Sequence, residues 1–113
     1  MSANRRRGEI SAELDGRQVR LCLTLGALAE LEAAYAADDL GMLVERFSTG
    51  RLSALDMIRI IGAGLRGAGD DVSDEAVKTM QTADGAAGFA AIVTELLTTT
   101  FGAGSAKDRP ANP

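Results

Sequence analysis

The sequence predicts an α+β fold that is mostly α: an N-terminal β-hairpin followed by four to five short helices and a disordered C-terminal tail. Three observations predict it. Apolar residues alternate with polar ones in two runs between Glu9 and Leu25, the dipeptide Asp15-Gly16 separates the runs, and beyond Leu25 the apolar spacing lengthens to the helical 3.6 residues.

In the first run Ile10, Ala12 and Leu14 share one face, and in the second Val19, Leu21, Leu23 and Leu25 do. Asp and Gly both reach positive φ readily, which suits a tight type I′ turn. A hairpin over about Glu9 to Thr24 follows. Glu13, Arg17 and Arg20 are expected to face solvent, with Cys22 on the polar face or at its edge. A first helix is expected over Ala27 to Ala36, with Leu28, Leu31 and Tyr35 as its stripe. Asp38 and Asp39 offer an N-cap for a second helix, where Leu40, Leu43, Val44 and Phe47 fit the i, i+3, i+4, i+7 pattern and Gly50 is placed to stop it.

Ser53 begins a third helix. Asp56 is the acid of a capping box and Leu52 is spaced to pack on Met57; Leu55, Ile58, Ile61 and Leu65 form the expected buried stripe. Gly62 to Gly69 reads as a glycine-rich exit, and interior glycines at about 1 kcal/mol each against alanine need a reason, such as a close backbone crossing or a fraying end. Ser73-Asp74-Glu75 starts a short fourth helix with Val77 and Met80 inward. After a break at Asp84-Gly85, the residues Phe89, Ile92, Val93, Leu96, Leu97 and Phe101 trace a broad apolar face on a last helix that Gly102 caps. The organisation expected is a flexible basic segment at 1–8, one domain at 9–102 and a disordered tail at 103–113, whose composition cannot offset its ordering entropy.

Composition excludes several classes of function. The 113 residues are 46% hydrophobic and 25% charged, enough for one core without disulfides or metals. With no histidine and a single cysteine, the commonest general base, the commonest metal ligand and any internal disulfide are missing. Cys22 then reads as a small apolar filler. A net charge of −4 opposes nucleic-acid binding. No run approaches the ~18 to 20 apolar residues that span a bilayer, so no membrane partner and a cytoplasmic location are expected. Against the overall charge stands the run Arg5-Arg6-Arg7, either a solvated segment or a docking element for an acidic partner.

Motifs for chemistry are weak. Gly62-Ala63-Gly64-Leu65-Arg66-Gly67 matches G-x-G-x-x-G, but Ala68-Gly69-Asp70-Asp71 follows it where a helix should begin, so a nucleotide-binding enzyme is a distant alternative. The pairs Asp38-Asp39, Asp70-Asp71 and Asp74-Glu75 precede or open predicted helices, where acids cap free N–H groups; the spacing at Asp70 to Glu75 is not that of an EF-hand loop. No catalytic residue, metal site or cofactor is expected.

The ordered pieces do resemble a known family. The basic start Asn4-Arg5-Arg6-Arg7-Gly8-Glu9, the junction Leu23-Thr24-Leu25-Gly26-Ala27-Leu28-Ala29-Glu30-Leu31-Glu32, the stretch from Arg46-Phe47 to Gly50-Arg51-Leu52-Ser53 and the run Gly62 to Gly69 are similar to the small gene transfer agent proteins of the phage tail assembly chaperone class, also labelled phage tail tube proteins. The resemblance spans roughly Arg5 to Gly102. It implies a product of the tail gene cluster of a domesticated phage, a non-enzymatic chaperone that coats the tape measure protein, keeps it soluble and helps the major tail tube protein polymerise around it. Self-association belongs to the same expectation. The alternative it leaves is a structural tail tube or connector component.

The class offers no binding motif to carry over residue by residue, so the candidate surface comes from helix pattern alone. The stripes on the second and last helices are wide for one-sided burial. Leu43, Phe47, Phe89 and Val93 are therefore the candidate partner-binding residues, the alternative being that they are simply core.

Overall fold

The computed structural model describes residues 8–49 and 52–102. Strands β1 (Glu9–Leu14) and β2 (Arg17–Cys22) form an antiparallel hairpin in which Ile10 faces Leu21 and Ala12 faces Val19. Asp15 and Gly16, at φ 55° and 75°, supply the two positive values that a type I′ turn requires. Helices α1 (Leu25–Tyr35), α2 (Leu40–Ser48), α3 (Ala54–Gly67), α4 (Asp74–Val77) and α5 (Ala86–Phe101) follow. The expected stop at Gly50, the run Arg5 to Arg7 and the tail at 103–113 lie outside the described residues. Among the described residues no helix is long and apolar enough to cross a membrane.

The expected caps form. Asp39 accepts from the Met42 N–H, Ser53 and Asp56 make a reciprocal capping box, Ser73 accepts from the Ala76 N–H, and Gly102 ends α5 in the left-handed conformation. One cap is new. Thr24 accepts from the Ala27 N–H, which starts α1 two residues early and turns Leu25, placed on the strand's apolar face by the alternation, into a helix residue that is 77% exposed.

The hairpin lays its apolar face on two helices, with α3 under β2 and α5 under β1; α1 packs on α3, and α2 on α1. Every layer contributes to the interior: Ile10, Leu14 and Leu21 from the hairpin, Leu31 and Leu43 from α1 and α2, Ile60, Ile61 and Leu65 from α3, Val93 and Leu96 from α5. A pair of hydrogen bonds locks the hairpin turn to the segment after α4. The Asp15 N–H donates to the Gln81 carbonyl at 2.8 Å, and the Gln81 N–H donates to the Asp15 carboxylate at 2.9 Å.

The glycine run corrects the expected helix exit. Gly62, Gly64 and Gly67 lie inside α3, which continues to Gly67, and only Gly69, at φ 103°, falls in the exit; Gly64 and Gly67 mark a close backbone crossing, one of the two reasons expected. A methyl group at Gly64 would stand 2.8 Å from Leu96 Cδ2 and 3.2 Å from Leu21 Cβ; one at Gly67 would overlap the Cys22 carbonyl oxygen. Here β2 rests on the helix backbone itself. This approach also buries Cys22, which the alternation assigned to the polar face or its edge.

The same approach rotates the buried face of α3. Ile60, Ile61, Ala63 and Leu65 are buried, whereas Leu55, expected in the stripe, is 47% exposed and Ile58 is half-buried. A helix covered by β2 on one side and by α1 and α5 on others needs apolar residues around most of its C-terminal half, and its N-terminal turn is left at the surface. On α2 only Leu43 and Phe47 reach the core, and Leu40 and Val44 stay exposed, because α2 touches the body through one side.

Two substitutions test this packing. Leu21→Asp would bury an uncompensated charge between α3 and α5 and is expected to abolish cooperative thermal unfolding followed by circular dichroism. Gly67→Ala improves helix propensity by about 1 kcal/mol but pushes β2 away; a net destabilisation of roughly 1 to 3 kcal/mol in urea titration is expected, and a more stable variant would refute the close crossing.

Candidate partner-binding surface

Three of the four candidate residues are interior. Leu43, Phe47 and Val93 are buried, so in this fold they support the core, as the alternative reading had it; Phe89 is half-buried. A helix stripe wide for one-sided burial is here buried from two sides, because α5 packs against both the hairpin and α3.

What remains open lies along the two flanks of α5. Toward its N-terminal end, Phe89 and Ala86 with Met57, Ile58, Val77 and Met80 line an apolar groove of about 200 Å³ between α3, α4 and α5. Toward its C-terminal end, Leu97 and Phe101 with Val44, Phe47 and Leu52 line a second groove of about 250 Å³ between α2 and α5. Both arise from short or peripheral neighbours: α4 is a single turn of four residues, and α2 leans on α1. Phe47 and Phe89 thus each line a groove, Phe47 from the core side. The exposed apolar residue Val44 lines the second groove and Leu40 lies one turn before it, whereas Met42 is exposed on another face of α2 beside Glu45 and Arg46; Leu55 lies one residue beyond Ala54 at the rim of the first.

A polar cluster that sequence spacing did not reveal holds α2 in position. The Tyr35 hydroxyl donates to the Asp56 carboxylate at 2.5 Å, the Arg46 guanidinium lies 4.5 Å above the Tyr35 ring and 3.8 Å from Asp56, and Arg59 lies 5.3 Å from the same ring. The Phe47 ring meets Tyr35 edge to face at 5.7 Å. Asp56 was legible as a capping acid, but its second partner comes from 21 residues upstream. Burial pushes the Tyr35 hydroxyl up to about 12, and the Asp56 charge adds to this. For Asp56 burial alone would raise the carboxyl, yet hydrogen bonds from Tyr35 and from the backbone and side chain of Ser53, with the charge of Arg46, outweigh it and hold the group below its ordinary value.

A second clasp fixes the other side. Arg66 donates to Glu30 at 2.7 Å, to Asp74 at 3.0 Å and to the Val72 carbonyl at 2.9 Å, tying α1, α3 and α4 together. The glycines of the G-x-G-x-x-G match lie within α3 and form no turn around a phosphate. Among the described residues no group of three or more His, Cys, Asp or Glu could hold a metal ion.

The Asp56 shift has a definite sign. A carboxyl with a depressed folded-state value contributes stability that is fully present above its unfolded value, about 3.9, and is lost as pH falls through the folded value. Acid titration of the melting temperature should therefore show the parent losing stability below about pH 4. Asp56→Asn should lose roughly 1 to 3 kcal/mol at pH 7 and should lack this part of the acid dependence; equal acid dependence in both proteins would remove Asp56 from the role.

Comparisons with known proteins agree with the resemblance. Neither the curated proteins nor the solved structures give a match. The family model described as phage tail tube protein, GTA-gp10, matches residues 7–103, which takes in every helix and strand described above. On that match, the chain belongs to the gene transfer agent family of phage tail tube proteins, and the match supports a tail-related role.

Proposed function

We propose that this chain acts in the cytoplasm as a non-enzymatic tail assembly chaperone, which binds the tape measure protein through the two grooves beside α5 and delivers it to the major tail tube protein. The single observation that carries the reading is the form of the open apolar surface. It consists of two small grooves, each with room for one or two side chains, and a few exposed residues on α2 and α3. A permanent assembly interface is large and strongly apolar, of the order of 2,000 Å² or more. Small grooves with polar rims suit the weak, repeated seating of apolar anchors from a long helix, which a later partner can displace.

Met57 and Met80 in the first groove add adaptability, since an unbranched thioether fills irregular gaps as successive segments of a partner pass. A wall or connector subunit is the second reading, favoured by the description of the family itself. The two differ in the finished particle, where a wall component is present in stoichiometric amount and a chaperone is not.

Ile58→Gln and Leu97→Gln test the grooves, because each residue lines one of them and neither is fully buried. Either change is expected to weaken copurification of coexpressed tape measure protein about tenfold, equivalent to ~1.4 kcal/mol, with a melting temperature within a few degrees of the parent. Undiminished copurification by two well-folded variants would place the binding surface elsewhere. Stoichiometric recovery of the chain in purified particles would establish the wall reading instead.

A further inference from the structure

The two grooves lie on either flank of one line of α5. Ala86, Ala90, Leu97 and Phe101 recur at i, i+4, i+11 and i+15 and therefore share a face. Ala86 lines the first groove, Leu97 and Phe101 line the second, and Ala90 stands between them, exposed and lining neither. The facing wall is divided in the same way, with Leu52 in the second groove and Ala54 in the first, on either side of the Ser53 cap. Where the grooves approach each other, α5 presents the methyl group of Ala90, and the surface there is a low saddle.

The walls determine what can lie across it. Both grooves are lined by helices and the residues that flank them, and by no residue of β1 or β2, so an extended peptide would find no strand edge to pair its backbone. An occupant has to satisfy its own backbone hydrogen bonds, as a helix does. The lining contains a single charged residue, Lys78, which is engaged with Glu75 at 2.9 Å, so the side chains that enter are apolar. Around this uncharged strip the body is acidic: 15 acids and six bases fall within residues 8–49 and 52–102, a balance of −9. The face of the helix turned away from the grooves is then complementary when it carries positive charge.

Taking both grooves as the docking surface proposed above, we infer that a single α-helix of the partner, apolar on one side and basic on the other, crosses α5 diagonally over Ala90 and seats one anchor in each groove. Phe89 and Leu97 are eight positions apart on α5 and Phe89 and Phe101 twelve, which at a rise of about 1.5 Å per residue separates the groove centres by roughly 12 to 18 Å. A partner helix covers that distance in about eight to twelve residues, of which i+8 and i+11 return to the starting face. Each copy thus occupies about three turns of the partner. Ala90 sits at the crossing, where a small side chain lets two helix axes approach to the ~8 Å end of their usual range.

Ala90→Arg in the full chain tests the crossing, since Ala90 is exposed, lines neither groove and lies inside α5, where arginine is well tolerated. Copurification of coexpressed tape measure protein should fall about tenfold or more with the melting temperature of the parent, because the long cationic side chain fills the saddle and repels a basic helix. Should that variant melt below the parent, Ala90→Gln replaces it and should still weaken binding. Binding by the parent should also weaken as salt shortens the screening length from ~30 Å at 0.01 M to ~3 Å at 1 M. A folded Ala90 variant that binds like the parent, while Ile58→Gln and Leu97→Gln bind less, would mean that the grooves seat separate segments; the single crossing helix then fails and the tape measure reading stands. Undiminished binding by all three removes that reading and the crossing with it. Binding that is indifferent to salt, or strengthens with it, overturns the basic face. Two further outcomes assign the saddle to another occupant and overturn the proposal. Concentration-dependent association of the purified chain that Ala90→Arg abolishes would mean a second copy, and faster tryptic cleavage at Lys107 in Ala90→Arg than in the parent would mean the chain's own C-terminal end.

Discussion

The contact of the α3 backbone with β2 is the constraint on which the other packing depends. Because Gly64 and Gly67 present no side chain, Leu21 and the Cys22 carbonyl settle directly onto the helix, and Leu96 of α5 closes on the same spot. The strand leaves this crossing two residues before the Thr24 cap, so the position of β2 also fixes where α1 begins and how it lies on α3. Interior glycines that weaken a helix by about 1 kcal/mol each are offset here by contacts that any larger residue would prevent. A chain with 4% aromatic residues has few bulky groups with which to fill a gap, and it gains density by bringing backbones together.

The open surface is a by-product of the same economy. α5 is supported along its middle by Ile92, Val93 and Leu96, but its two flanks meet only a one-turn helix and a peripheral one. Apolar side chains are left half-covered on both sides, as grooves rather than as one broad patch. The two arginine clasps then decide how wide the grooves stand. Arg46 and Asp56 hold α2 through Tyr35, and Arg66 holds α4 through Asp74. Neither clasp is a strong interaction at a partly exposed position, and both position elements that hydrophobic burial alone leaves underdetermined.

Local signals in the sequence were legible because their physics is local. The period-two runs, Asp15-Gly16 with its two positive φ values, the Ser53–Asp56 box and the Gly102 cap each involve residues within four positions of one another. What could not be read depends on distant partners. Leu55 and Ile58 fit a helical stripe, but which arc of α3 is deepest was decided by β2, more than 30 residues away. Leu43, Phe47 and Val93 illustrate the same limit for the candidate surface. Amphipathic spacing identifies residues that avoid water, and it does not say whether the neighbour that covers them belongs to the same chain. Of that set, Phe89 and Phe47 line the walls of the two grooves. The Tyr35–Asp56 bond and the Arg66 clasp left no spacing signature at all.

The lock between Asp15 and Gln81 has a bearing on synthesis at the ribosome. The hairpin is the first element of this domain to be translated, yet its turn is anchored by a residue 66 positions later and its apolar face is covered by α3 and α5. A two-stranded hairpin has little independent stability, so during translation the face of β1 that α5 covers, with Ile10 and Leu14, stays open until the last helix has emerged. At about 5 to 20 residues per second, that interval is of the order of 4 to 20 s, far longer than the microseconds in which hairpins form and reopen. The nascent chain therefore spends most of its production time with that face of β1 unsheltered, and its folding is completed in one late, non-local step.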